Sequence, residues 1–384
     1  MLDYSNKKAP ADLSAHENRA VVESRCGAAR GDRTTEVSAQ RSFLQRAYAV
    51  AAALPQAVRR SFGALSIKIV GWAYWKVLPQ SENIYSLAAK EPADVWLAND
   101  WYVIPVAARL AREHGGIVGY DTHEFALNEY SHNLAWKFLK RPFVSRIEKS
   151  LIQTAPVCST VSQGIADALQ GVYDLNECPL VVRNVPNYQQ VQPAERSGRL
   201  RVLYHGIVAP GRGLEACIDS VLNWREEFTL TIRGPAKDPY HKALVARIEG
   251  LGLSDRVRMV PPVPMTDLVN EAAAFDIGLF ALPDHSMHNH FALPNKIFEY
   301  IMAGLAVCVS DLPEMENIVD TYGVGTTFHG MEPETIAAAI NKFDEEKVNF
   351  FREKSLTAAQ ELCWEKEAKI MVNAYSNAVS KARA

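Results

Sequence analysis

From residue 199 onward, short apolar runs alternate with longer amphipathic ones: "RLRVLYHG", "GLEACIDSVLNW", "FTLTIRG", "HKALVARIEGLGL", "VRMVPPV", "MTDLVNEAAAF", "DIGLFAL", "NKIFEYIMAG", "AVCVS" and "EMENIVDTYG". The short runs predict strands and the 3.6-residue periods predict helices, and their strict alternation predicts a doubly wound parallel sheet. A shorter series precedes it: strand "DVWLAND" (94–100), helix 103–114, strand "GIVGYDTHE" (116–124), a long helix over about 132–153, "PVCSTVS", helix 163–173 and "PLVVRNVP". The polar stretch "NYQQVQPAERSG" between the two series reads as an interdomain linker.

The sharpest bipolar pattern lies in "FALPNKIFEYIMAGLAVCVSD" (291–311). At about 100° per residue, Ile297, Phe298, Ile301 and Met302 fall on one side of a helix, and Asn295, Lys296, Glu299 and Tyr300 on the other. Pro294 suits its first turn and Gly304 a left-handed exit. The apolar "LAVCVSD" that follows predicts a strand buried on both faces. Because strand 276–282 releases the loop "DHSMHNH" just ahead of this helix, the helix is expected to start at a cleft mouth, where parallel sheets collect ligands.

The remainder of the chain fits this pattern less well. Residues 1–40 are polar, rich in Ala, Ser and Arg, and aperiodic, which predicts partial disorder. Residues 65–78, "LSIKIVGWAYWKVL", predict a helix with Lys68, Trp72, Trp75 and Lys76 on one face. That face suits an anionic membrane surface, and equally a helix packed on the domain with its lysine stems snorkelling.

With 384 residues, two domains are expected; 48% hydrophobic and 22% charged residues describe an ordinary globular chain. A net charge of -3 gives no sign of a nucleic-acid partner. No run approaches the roughly eighteen apolar residues of a membrane span, and "MLDYSNKKAPADLSAHENRA" lacks the apolar core of a signal peptide. The expected localisation is cytoplasmic, with peripheral contact to the membrane's cytoplasmic face. Cys26, Cys158, Cys178, Cys217, Cys308 and Cys363 are scattered without a C-x-x-C pair, so free thiols in a reducing compartment are expected.

"GIVAPGRG" (206–213) follows a strand and opens a helix, a place where backbone amides and the helix dipole hold a phosphate. It mimics a P-loop, but Arg212 replaces the lysine and Gly213 the magnesium-binding hydroxyl, which argues against an ATPase; nor is it the G-x-G-x-x-G of nicotinamide enzymes, which argues against one of those. What remains is an arginine in a strand–helix turn, suited to a diphosphate without an obligatory metal, or else a tight turn with a solvated arginine. "YDTHE" (120–124) puts His123 and Glu124 at a strand end, with Leu127 where a zinc protease would need its second histidine. His285, His288 and His290 share one loop with no cysteine nearby, a weak metal set. No D-x-D pair is present to clamp a metal on a sugar nucleotide.

Taken together, residues 94–375 resemble a GT-B glycosyltransferase of family 4, retaining and nucleotide-sugar dependent. "LYHGIVAPGRGLE" resembles that family's diphosphate loop, and "ALPNKIFEYIMAGLAVCVSD" its donor-binding signature. "NDWYVIPVAARLA", "YDTHE" and "VVRNVPNY" are similar to its N-terminal domain, and "CWEKEAKIMVNAY" to its closing helix. The resemblance implies two Rossmann-like domains facing a cleft, the first one incomplete. The expected divisions are an irregular region 1–60, an acceptor-side domain 61–190, a donor domain 199–362 and a returning helix 363–384.

Carried onto this chain, the resemblance implies that Glu299 accepts hydrogen bonds from both ribose hydroxyls of the donor. Arg212 and Lys296 neutralise the departing diphosphate, and His123 contacts the transferred sugar. Gly206, Gly211, Pro294, Asn295 and Arg233 line the donor side; Asp100, Glu124 and Asn184 fall on the acceptor side. Two positions depart from the pattern. Phe291 stands where the family has the first glutamate of E-x7-E, and Ile207 where many members have a second diphosphate arginine. The family's opening strand and glycine-rich loop have no counterpart in residues 1–60. The expected activity is transfer of a sugar from a nucleotide-diphosphate sugar to a cell-envelope glycan or lipid-linked acceptor, without a cofactor or obligatory metal. An impaired homologue that binds nucleotide sugar or a partner enzyme is the alternative, and an epimerase or phosphorylase on the same fold a third.

Overall fold

The computed structural model describes residues 67–128, 133–134, 136–192 and 198–384. The chain divides into two units, Met1–Pro92 and Ala93–Ala384. The disorder expected for residues 1–40, and the irregular region 1–60, lie outside the described residues. In the first unit, α1 (Ile67–Val77) and α2 (Gln80–Ala88) are joined by a tight turn, with Ser81 Oγ donating to Tyr74 Oη at 2.8 Å.

The second unit holds two parallel sheets. The first is built from β1 (Val95–Asn99), α3 (Ile104–His114), β2 (Ile117–Asp121), α4 (Arg141–Leu151), β3 (Val157–Thr160), α5 (Gln163–Tyr173) and β4 (Leu180–Val181). Its strands follow the order β1-β2-β3-β4, with no reversal among the described residues. The single helix expected over 132–153 is broken into a π turn at Trp136–Lys140, α4, and a 3-10 turn at Ile152–Thr154. Pro142 is the physical reason: its ring cannot accept the carbonyl four residues back and it has no N–H to give, so the winding changes ahead of it and a new helix starts.

The second sheet contains β5 (Leu200–His205), α6 (Leu214–Ser220), β6 (Phe228–Arg233), α7 (Asp238–Gly250), β7 (Val257–Val260), α8 (Leu268–Ala272), β8 (Ile277–Phe280), α9 (Met287–His290), α10 (Asn295–Met302), β9 (Ala306–Ser310), α11 (Pro313–Tyr322) and β10 (Gly325–Phe328). Then come α12 (Pro333–Ile340), α13 (Glu345–Ala359) and α14 (Trp364–Arg383). The strand order is β10-β9-β8-β5-β6-β7. The chain winds outward from β5 through β6 to β7, returns to lay β8 on the other side of β5, and continues outward through β9 to β10. The order therefore reverses between β5 and β8, and right-handed crossovers place α6 and α10 on opposite faces. Every residue of β8 and β9 is buried, as expected for strands covered on both sides.

The helix over 295–302 forms with Gly304 (φ 68°) as its left-handed exit, and Ile297, Phe298, Ile301 and Met302 are all buried. Tyr300, expected on the free side, is buried too. A Cβ on Gly278 would lie 2.3 Å from the Tyr300 ring, so the bare glycine in β8 makes a flat place on which the ring rests. Asp276, at the entrance to β8, is a buried anchor: it accepts from Arg201 N (2.8 Å), Arg201 Nε (3.1 Å) and Arg352 Nη1 (3.2 Å), while Arg352 Nε donates to Gly304 O (3.1 Å). This ties β5, β8, α13 and the end of α10 together.

After the second sheet, α14 returns to the first. Glu367, buried, takes the backbone N–H of Arg183 (2.9 Å) and its Nε (2.7 Å), and the Tyr375 ring lies over Gly119 of β2, where a Cβ would approach within 2.6 Å. Cys217, Cys308 and Cys363 are buried free thiols.

Candidate functional site

Two loops leave the sheet on either side of the reversal between β5 and β8. The first starts at Gly206, whose φ of 139° is closed to other residues without strain, and whose N–H donates to Arg233 O at 2.9 Å. It runs beside the loop after β6: Val208 N–H donates to Pro235 O (3.0 Å), and a Cβ on Gly234 would sit 1.7 Å from Gly206 O. Gly211 (φ 80°) and Gly213 (φ 68°) then bring Arg212 round into α6.

The second loop runs from β8 to α10. Ser286 caps α9, its Oγ accepting from Asn289 N (3.1 Å), so that His288 and His290 lie on a short helix where a loop was expected. The three histidines do not converge. His285 Nδ1 faces Asn289 Nδ2 (3.4 Å), His288 Nδ1 faces Glu124 Oε2 (3.5 Å) and His290 Nδ1 faces Asp284 Oδ2 (3.0 Å). Among the described residues no group of three His, Cys, Asp or Glu side chains is placed to hold a metal. Pro294, extended, delivers Asn295 as the first residue of α10.

The loops bring Arg212, Lys296 and Glu299 into one electrostatic neighbourhood. The Lys296 stem lies against the bare Cα of Gly206, where a Cβ would be 2.5 Å from Cε, and its ammonium is 5.9 Å from the Phe280 ring centre. Burial holds the Lys296 pKa below its ordinary 10.5; the nearby Arg212 charge lowers it further and Glu299 opposes the shift. Lys296 is thus half-buried, with a second cation and a carboxylate in its field. Glu299 Oε2 lies 2.8 Å from Nε2 of His205, the last residue of β5.

Arg233, in register with His205 on the neighbouring strand, is buried, with its guanidinium 5.3 Å from the Phe275 ring centre and Nη2 3.8 Å from Glu271. Burial lowers its pKa.

Across from these loops, the ends of β1 and β2 hold two non-glycine residues in the left-handed region, Asp100 (φ 69°) and His123 (φ 52°). Such conformations concentrate at functional strand ends. His123 Nε2 is 3.3 Å from Asp121 Oδ2, and Asp121 Oδ1 accepts from Ser159 Oγ at 3.0 Å, which fixes the imidazole's direction. Glu124 is exposed and reaches His288 across the gap. Asn184, also exposed, stands after β4. Phe291 docks on the start of α5: its carbonyl accepts from Ser162 Oγ (2.9 Å) and its ring lies against Gly164, where a Cβ would be 2.3 Å away. Glu314 Oε1 accepts from Gly164 N–H at 2.5 Å. Phe291, at the position where the sequence resemblance has a glutamate, thus links the two halves of the unit.

His205, Asp121, Ser162 and Glu314 were not singled out from sequence. Only His205 carried a signal, as a histidine closing an otherwise apolar strand just before the glycine loop.

Residues 189–359 match the sequence model for the family described as glycosyl transferases group 1. A search of curated proteins gives no significant match. Among solved structures, the fold is similar to Anabaena HepE in complex with UDP, at 17% identity over 79% of this chain and 83% of that one, with a TM-score of 0.64. It is also similar to sucrose-phosphate synthase from Thermosynechococcus elongatus (15% identity, 80% and 79% covered, TM-score 0.67). A third likeness is to the lipopolysaccharide outer core galactosyltransferase WaaB (15%, 77% and 79%, TM-score 0.54). These likenesses establish the GT-B fold.

Proposed function

From the premise that this chain is a group 1 glycosyltransferase on a GT-B fold, we propose that it moves a sugar from a nucleotide-diphosphate sugar to a cell-envelope glycan or lipid-linked acceptor, with retention at the transferred carbon. The observation that carries this reading is the gathering of Arg212, Lys296 and Glu299 at the reversal of strand order, from the loop after β5 and from helix α10, more than eighty residues apart in the chain. Two cations and one carboxylate, side by side, complement a diphosphate joined to a ribose.

In this reading Glu299 accepts the ribose hydroxyls, and Arg212 and Lys296 meet the negative charge that grows on the diphosphate as the glycosidic bond breaks. Gly206 and Gly211 keep the first loop's backbone open to the phosphates; Pro294 and Asn295 start α10 at the right height, and Arg233 stands on the nucleoside side. His123, held by Asp121, faces the transferred sugar. Asp100, Glu124 and Asn184 belong to the acceptor side. Catalysis is positioning and charge stabilisation, without a dedicated protein base or an obligatory metal. That HepE was solved with UDP supports a nucleoside diphosphate as the ligand class. Trp72 and Lys76, exposed on α1, suit peripheral contact with anionic membrane.

The test is calorimetric titration with UDP, GDP and ADP, followed by turnover of the corresponding nucleotide sugars with and without chelator. One nucleoside diphosphate binding well above the others, with chelator-insensitive release of that nucleotide from its sugar, is the expected result. Binding without turnover on any acceptor would favour the impaired homologue, and absence of binding to all three would overturn the donor-site assignment.

A further inference from the structure

The side chain least explained by the donor site as described is His205. It closes β5, whose other side chains are mostly apolar and buried, and only 2% of it is exposed. An apolar residue would fill that place without cost, whereas a buried imidazole has polar atoms to satisfy. Its Nδ1 has no partner. Among the described residues Glu299 Oε2 lies 2.8 Å from Nε2, without meeting the geometry of a regular hydrogen bond. The contact is therefore an electrostatic one between the imidazole edge and the carboxylate, and it is close enough to bias where Oε2 lies.

The ring is held from several sides. It stacks on Tyr300 with centroids 4.7 Å apart and planes at 25°. The backbone N–H of His205 donates to Tyr300 Oη (3.1 Å), which donates in turn to Leu279 O (3.1 Å). Tyr300 rests on Gly278, so β5, β8 and α10 fix the imidazole jointly. Glu299, by contrast, is 19% exposed and has a competing neighbour in Lys296, one turn earlier on the same helix. An unrestrained glutamate would fold onto that ammonium. Such a pair would remove a cation from the diphosphate side and a carboxylate from the ribose side together.

We propose that His205 is a positioning residue that holds one oxygen of Glu299 away from Lys296, so that both remain available to the donor. This rests on the reading that Glu299 receives the ribose. A carboxylate offers about four acceptor sites on its two oxygens, so Oε2 held toward His205 still leaves room for two hydroxyls. The arrangement is preorganisation: the carboxylate's direction is set by packed rings before the ligand arrives.

The experiment compares the full-length protein with His205→Leu, His205→Gln and His205→Asn. Each is titrated with UDP and 2′,3′-dideoxy-UDP, and with the matching guanosine and adenosine pairs. Wild type should prefer the ribose form by on the order of tenfold or more for each hydroxyl lost, the value of a hydrogen bond to a charged group. In His205→Leu that preference should fall to within about threefold, and donor KM should rise more than kcat falls. His205→Gln, whose amide reaches the place of Nε2, should keep most of the preference; His205→Asn, one bond shorter, should lose it as Leu does, which decides the matter if the Leu variant fails to fold. A structural role alone would weaken ribose and dideoxy forms equally. An unchanged preference in His205→Leu or His205→Asn overturns the proposal while leaving Glu299 in place. No preference in wild type overturns the ribose assignment itself, and the proposal falls with it.

Discussion

Gly206→Ala joins the two loops of the proposed donor site in one perturbation. The added Cβ would lie 2.5 Å from Lys296 Cε, where ordinary contact begins at 3.4 Å, so the lysine stem must withdraw by about 1 Å. The φ of 139° adds backbone strain of about 1–3 kcal/mol. Against a total stability of about 5–15 kcal/mol, the variant stays folded, with a melting temperature several degrees lower. The withdrawal matters more to chemistry: misplacing a group by about 1 Å costs on the order of 10²-fold. The assay is steady-state turnover of the nucleotide sugar that wild type uses, with circular dichroism to confirm folding. Turnover should fall by roughly 10–100-fold with a smaller change in donor KM. On a Lys296→Ala background, Gly206→Ala should cost less than about threefold, because the group it displaces is gone. A folded Gly206→Ala enzyme that turns over within threefold of wild type would refute the reasoning, as would an equal cost on both backgrounds.

Lys296 also gives a pH test. Its pKa is depressed by burial and by Arg212, and the charged form is needed for the diphosphate, so donor affinity should weaken as pH rises toward and through a value below 10.5. Lys296→Arg should remove that alkaline limb, and a wild-type Kd flat to pH 10.5 would contradict the role. Asp276→Asn keeps the shape of the anchor but leaves the Arg352 guanidinium, 7% exposed, without its carboxylate; chemical denaturation should show a loss of about 3–5 kcal/mol. A loss under about 1 kcal/mol would mean that the anchor is not energetically important. Lys68, Trp72, Trp75 and Lys76 should drive co-sedimentation with anionic vesicles, reduced by salt and by a Trp72→Ala/Trp75→Ala double substitution. Undiminished binding by that variant would return α1 to a packing role.

Local pattern made much of the helix and loops of the proposed donor side readable. The 3.6-residue period placed Ile297, Phe298, Ile301 and Met302 in the core, and Gly304 marked the helix end, because burial of one face is what selects those residues. Tyr300 escaped that logic: its burial depends on Gly278, on a strand some twenty residues earlier, and periodicity carries no record of what lies beneath a helix. The same holds for His205, whose meaning comes from a helix ninety residues on. The break at Pro142 was legible in principle, since proline disrupts a helix interior by known sterics. The place where β8 returns beside β5 was not, because strand order is a non-local choice among pairings that the apolar runs allow equally. Phe291 looked only like a missing glutamate. Its docking on Gly164, at the start of α5 beside the other sheet, is a contact between residues more than a hundred apart and leaves no local pattern.

The central claim is that Glu299 holds the donor's ribose while Arg212 and Lys296 meet the charge that grows on its diphosphate. Ribose hydroxyls carry the same charge before and during transfer, so Glu299→Ala should raise donor KM with a minor change in kcat. The diphosphate gains negative charge as the bond breaks, so Arg212→Ala should lower kcat by on the order of a hundredfold, with no rescue by divalent metal. Steady-state kinetics of these two variants side by side, on one nucleotide sugar, is the most direct measurement. A kcat defect in Arg212→Ala and a KM defect in Glu299→Ala is the predicted result. If Arg212→Ala changed only KM while Glu299→Ala abolished turnover with binding intact, the roles would be reversed and Glu299 would belong at the reacting sugar.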